Sequence, residues 1–270
     1  MADITKVDIK REHLTNSMLK RVIMRADFTP MLDLESMVSG MNKQDWFKGK
    51  FENYEKRLLE ISPDVEMTID KDDLEGRTVK RFDHCTIAPE KNVTLDISSK
   101  FVTLLINCDE KYDKIDDYLD LFVKILVFIK ENDDYVKFIR LAIRKTDGME
   151  LNSGEEADAV FEYFDQGIAE AKHDDLLNRS YTDSFIYGKE EISVHYNRTL
   201  KIVNGKFIFI IDIDTFADAE QIGENKRPSE TELKSFFADK LNESSFELYK
   251  RGVKLEYLKS IMKKEENGKR

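Results

Sequence analysis

Two cysteines in 270 residues, Cys85 and Cys108, cannot build a disulfide framework, and neither has a second cysteine at a zinc-site spacing. Glycine is sparse, 11 in all, so few positions offer bare backbone to cradle a phosphate. No GxSxG, GxxxxGKS/T or GxGxxG segment occurs. Long apolar runs are missing too. Phe101–Ile106 and Leu121–Ile129, the latter broken by Lys124, fall far short of the ~20 residues of a membrane span. The opening MADITKVDIKREHL lacks the apolar core of a signal peptide, so the expectation is a cytoplasmic protein without a membrane segment. Cations are outnumbered: 43 Lys plus Arg against 54 Asp plus Glu give a net charge of −11, with no basic patch. Such a chain repels phosphate backbones, which argues against direct nucleic-acid binding.

What is present is ample for a core. Apolar residues make up 41% and aromatics 10%, and the charged fraction of 36% exceeds the roughly 25% of ordinary globular domains. Met18–Asp27 reads as a strand ended at Thr29-Pro30. From Leu34 to Leu59 apolar residues recur at spacings of three and four, the mark of an amphipathic helix, with breaks expected near Gly40 or Gly49. Val65–Ile69 and Thr78–Ile87 read as strands, as do Val93–Ile97, which alternates strictly, and Phe101–Ile106. Tyr112–Lys130 has an apolar face wide enough for burial between layers. Val136–Ile143 reads as a central strand, with Asp147-Gly148 turning the chain after it. Glu155–Lys172 reads as a second helix. Ser180–Tyr187, Ile192–Val203 and Phe207–Asp214 form an antiparallel meander, because Asn204-Gly205 between β-rich runs is a strong hairpin signal. Asp218–Pro228 reads as a polar loop. Ser229, with Glu232 three residues on, opens a helix through about Tyr249, and a short helical segment follows at Val253–Met262. The order implies an α+β class, antiparallel sheets with helices on one face. Two similar lobes are expected, 1–150 and 151–270, unless the two are one continuous domain.

Few residues carry chemistry. Asp212 and Asp214 lie two apart on a strand and share a face, a geometry that could contribute to a divalent-metal site. The dehalogenase-type signature is broken by Phe216, and only 56 residues follow Asp214, so that fold is excluded. Asp70–Gly76 fails the EF-hand pattern at Leu74 and Glu75. Among His13, His84, His173 and His195 no HxH, HxxxH or HExxH spacing occurs, and only His195 can approach the acids. His84 and Cys85 are strand neighbours and point to opposite faces. Asp183, Glu190 and Glu191 are the other candidates in the same meander. The catalytic candidates are therefore Asp212, Asp214 and His195; no cofactor or metal site is read.

Several stretches together resemble a family. They are Leu14–Phe28, Val93–Val102, Tyr112 with the Tyr118–Phe122 helix, Ile139–Arg144, Phe209–Asp214 and Phe246–Tyr249. Their order resembles a sporadically distributed, uncharacterised bacterial protein family of about this length, from whose pattern Ala142-Ile143-Arg144 departs. The resemblance implies a bacterial protein of patchy distribution, as expected of toxin-neutralising or phage-defence cargo, and carries over no catalytic residue.

The leading reading is a non-enzymatic interaction module, an immunity, antitoxin or defence-associated protein acting on a partner protein, with homo-oligomerisation left open. A small-ligand sensor is the alternative, with Tyr181, Tyr187 and Tyr196 lining a cleft between sheets. The second alternative is a metal-dependent hydrolase or nuclease at Asp212 and Asp214.

Overall fold

Alternating apolar and polar residues build one sheet with two unlike faces. A computed structural model describes residues 4–15, 18–31, 33–47, 54–61, 79–109, 112, 114–162, 178–188, 191–204, 206–223 and 228–263. Its strands are β1 (Leu19–Phe28), β2 (Tyr54–Ile61), β3 (Val79–Glu90), β4 (Val93–Ser98), β5 (Phe101–Asn107) and β6 (Phe138–Leu151). Then come β7 (Asn178–Gly188), β8 (Ser193–Val203) and β9 (Lys206–Asp218). They form a single nine-stranded sheet in the order β2-β3-β4-β5-β1-β6-β9-β8-β7, every neighbour antiparallel. The protein is α+β, and its expected separate sheets are one. Asn204 takes a positive φ of 52°, as the tight β8–β9 connection requires.

In register, Met24 lies between Leu104 and Ile143, and Ile143 is followed across the sheet by Thr215. Every strand residue of the two buried clusters belongs to this same face. The described helices pack there: α1 (Leu34–Asn42), α2 (Asp116–Asn132), α3 (Gly154–Val160), α4 (Ala219–Ile222), α5 (Glu230–Ser235), α6 (Glu243–Gly252) and α7 (Leu255–Ser260). A π-helical segment, Phe236–Asn242, joins α5 to α6. Helices on one face of an antiparallel sheet are what the sequence pattern leads one to expect. The other face carries Ile23, Arg25, Asp27, Arg144, Asp212 and Asp214, and none of the described helices packs against it.

Connectivity repeats along the chain. Each half runs strand, helix, meander, helix, and in each the last meander strand pairs with the first strand of that half, β5 with β1 and β9 with β6. The halves join where β1 pairs with β6.

Three further expectations differ from the structure. The helix over 34–59 ends at Asn42, and Tyr54–Ile61 is a strand pairing β3. Asp147-Gly148 does not turn the chain but lies within β6, opposite Ile211 and Ile210. The loop 218–228 contains α4, held by a capping box in which Asp218 accepts from the Glu220 and Gln221 amides. The expected Val65–Ile69 strand, Asp70–Gly76 turn and most of the Glu155–Lys172 helix lie outside the described residues.

Candidate functional site

The open face brings the sequence candidates together. Asp214 sits directly between Arg144 on β6 and His195 on β8, and Asp212 between Thr146 and Asn197. The ion pairs run diagonally. Arg144 donates to Asp212 through Nε at 2.8 Å and Nη2 at 2.6 Å, a two-pronged grip. Arg140 crosses the Phe216 ring, 4.5 Å from its centroid, to reach Asp214 at 2.6 Å. Ala142, with its small side chain, lies between the two arginines on this face. On β1, Arg25 donates to Asp27 at 2.6–3.0 Å and stacks on Phe101 at 4.6 Å. Its guanidinium is raised above its ordinary pKa chiefly by that bond to Asp27. Arg144 is raised the same way by Asp212. His195 stands edge-on to Phe216, centroids 5.0 Å apart.

Two carboxylates on one strand face are therefore present, but each is held by a guanidinium. A fixed cation at hydrogen-bond distance repels a divalent metal electrostatically, and no cluster of three or more metal-ligating side chains occurs among the described residues. Glu191 is drawn away to Lys240 of the C-terminal helical run, at 2.5 Å. Glu190 lies outside the described residues, and the side chains of Asp183 and Tyr181 outside the described ones. Tyr187 and Tyr196 do meet, centroids 6.5 Å apart, beside Phe185 on β7 and β8 at the sheet edge rather than in a cleft between sheets.

A second constellation, which the sequence reading missed, is buried under the helices. Lys145 and Asp147 on β6 are 2% and 1% exposed, two apart on the covered face where the flanking residues Leu141 and Ile143 are apolar. Lys145 Nζ donates to Asn242 Oδ1, at the last position of the π segment. Arg11 lies over the Phe246 and Tyr249 rings, 5.4 and 5.3 Å from their centroids, and approaches Asp147 at 3.9 Å. Both Asp147 oxygens and Arg11 Nε are buried without a hydrogen-bond partner. Burial drives Lys145 down to about 7, helped by Arg11, and drives the Asp147 carboxyl up. Burial also lifts the nearby Cys108 thiol to about 12, which disfavours the thiolate. The signal that could have found this pair was a lysine and an aspartate on an otherwise apolar strand face.

No described helix is long and apolar enough to cross a membrane. A scan against protein-family models gives no match, and a search of curated proteins gives none either.

Proposed function

We propose that the protein is a non-enzymatic interaction module that binds a partner protein through the open face of its sheet. The observation that carries this reading is the charge ladder on that face. Three arginines (Arg25, Arg140, Arg144) are matched by three aspartates (Asp27, Asp212, Asp214), although the whole chain carries −11. A locally neutral strip between half-buried Ile23, Leu105, Ile210 and Phe216 suits a protein surface with apolar anchors and both charge signs. It suits neither nucleic acid, which the aspartates repel, nor a metal, which the arginines repel. The rim extends to Ile186 on β7, 78% exposed beside His195. An immunity, antitoxin or defence-associated role is the finer form of this proposal and rests on the family resemblance. A stable complex of this kind buries about 1,200–2,000 Å² in total.

The test pairs affinity purification from the native host, read by mass spectrometry, with a variant carrying Ser184→Arg and Ile186→Asp. Both side chains are exposed, so the fold is expected to survive unchanged. The wild type should recover a partner at fixed stoichiometry and the variant should lose it. A partner retained equally by both, or a monodisperse lone chain in both, overturns the proposal.

A further inference from the structure

The buried Lys145–Asp147 pair, with half-buried Arg11 beside it, lies behind a cleft. The cleft, of about 410 Å³, opens between the 3-10 turn Arg11–His13, the segment leading into α2, and the end of the π segment. Its volume falls within the ~300–1,000 Å³ of small-molecule sites. Arg11 and Asn242 are the lining residues in contact with the buried group. Because Asn242 Oδ1 accepts from Lys145, its amide NH₂ is the end left to donate elsewhere. Arg11 Nε is fully buried, so the guanidinium meets the cleft only through its outer nitrogens, of which Nη2 lies 3.9 Å from Asp147. The inner end of the cleft thus pairs the Arg11 guanidinium with the Asn242 amide, the latter held by buried Lys145. Two features mark it as built rather than incidental. Removing one member of a buried charged pair is strongly destabilising, so the wall behind the cleft is fixed, and π-helical turns are frequent at functional sites.

The outer wall has the opposite character. Lys114 and Lys263 stand among Glu12, Asp116, Asp239 and Glu243, so with Arg11 the lining holds three cations and four acids. A simple anion would meet the acids and a simple cation would meet Arg11 and the lysines. A molecule bearing both charges meets each with its opposite. The geometry points to a small zwitterion of the α-amino-acid kind as the ligand, its carboxylate on Arg11 and Asn242 and its ammonium among the rim acids. This site is on the helix side of the sheet and independent of the open face.

The experiment is a thermal-shift screen of the free amino acids on the full chain, followed by calorimetry. Each hit is compared with its N-acetyl derivative, which lacks the ammonium, and its methyl ester, which lacks the carboxylate. At least one free amino acid should bind saturably, and both derivatives should bind at least tenfold more weakly. Asp239→Asn and Glu12→Gln, at exposed rim positions, should weaken binding severalfold without lowering the Tm of the free protein. Arg11→Lys should weaken it more, with its own stability checked alongside. The Ser184→Arg/Ile186→Asp variant should bind the ligand as the wild type does, so failure of the open-face reading leaves this result standing. No saturable binding up to about 10 mM, tenfold above a millimolar dissociation constant, overturns the assignment. So does equal binding of the blocked derivatives, or binding indifferent to the rim substitutions.

Discussion

At the scale of single residues, two positions show how tightly the covered face is specified. Gly252, the last residue of α6, lies against Tyr196: a Cβ there would stand 2.2 Å from the tyrosine hydroxyl and 3.5 Å from Ile211 Cδ1. Tyr196 is 5% exposed and packed beside Phe185 and Tyr187, so it has little room to yield. Gly252→Ala should therefore destabilise by about 1–3 kcal/mol, the usual cost of overpacking. With Tyr196→Phe the hydroxyl is gone and the nearest ring carbon lies at an ordinary 3.5 Å. In that background alanine's helix preference over glycine, up to about 1 kcal/mol, should make the same change neutral or stabilising. Urea unfolding of the four proteins decides it; an equal cost in both backgrounds would rule out the steric explanation. Lys145 makes a prediction in pH. Its folded pKa, about 7, is depressed below the ordinary lysine value of 10.5, so between these values the unfolded chain binds more protons than the folded one. Stability contributed by this group accordingly rises as pH climbs from about 7 toward 10.5, with a limiting slope near 1.4 kcal/mol per pH unit. Asp147, raised by burial, acts in the opposite direction, favouring the folded state less as pH rises. Relative to Lys145→Met, the wild type should gain stability steadily between pH 7 and 9.5. A constant difference between the two proteins across that window would show that Lys145 keeps its proton when folded.

At the scale of elements, the C-terminal helical run explains how one stretch of chain serves two cores. Ser229 Oγ accepts from the Glu232 amide at 3.2 Å while Glu232 Oε2 accepts from the Ser229 amide at 2.8 Å, and that reciprocal cap is plain in the sequence. So is the inward face of Leu233, Phe237, Leu241 and Leu248. The π segment is not, because a widened turn leaves no compositional mark. Yet it matters: Phe237 and Leu241 enter the larger cluster, Asn242 reaches Lys145, and Phe246 and Tyr249 enter the smaller one. The strands were legible wherever alternation or a proline bounded them, as in β1, β4 and the β7–β9 meander. β2 was not, since YEKRLLEI is rich in helix formers with Tyr54 and Leu58 four apart; its strand state comes from pairing with β3, from Tyr54 opposite Ile87 to Ile61 opposite Val79. Asp147-Gly148 misled for a related reason. A dipeptide favoured in turns is here held extended between Met18 and the β9 ladder, with Gly148 N–H donating to the Met18 carbonyl at 2.7 Å. The shared face of Asp212 and Asp214 followed from strand periodicity alone, whereas their arginine partners required the register of β6 against β9, which no local pattern encodes.

At the scale of the whole molecule, the question is whether two repeated halves make one cooperative unit. The ladder argues that they do: β6 pairs with β1 along one edge and with β9 along the other, so a cut at 150/151 removes the partner strand from one side of the central strand. The cores argue the same. Ile192, Leu233, Phe237 and Leu241 from the second half fill the cluster built on β1, β5 and α2. In exchange, Ile9, Leu14 and Met18 from the first half enter the cluster built on β8 and β9. Each half therefore completes the other's interior, and losing several buried Leu or Phe side chains from a core costs about 2–5 kcal/mol apiece, comparable with the entire ~5–15 kcal/mol of a folded domain. The chain holds one tryptophan, Trp46, packed edge-on to Phe47 and Phe128 against the larger cluster, which makes it a local reporter of the first half. Far-UV circular dichroism reports both halves. Urea unfolding followed by the two signals should give coincident transitions with one midpoint. The separate segments 1–150 and 151–270 should each lack a cooperative transition and regain one when mixed. A Trp46 transition displaced from the circular-dichroism midpoint, or a 1–150 segment that unfolds cooperatively by itself, would show that the two halves are independent lobes.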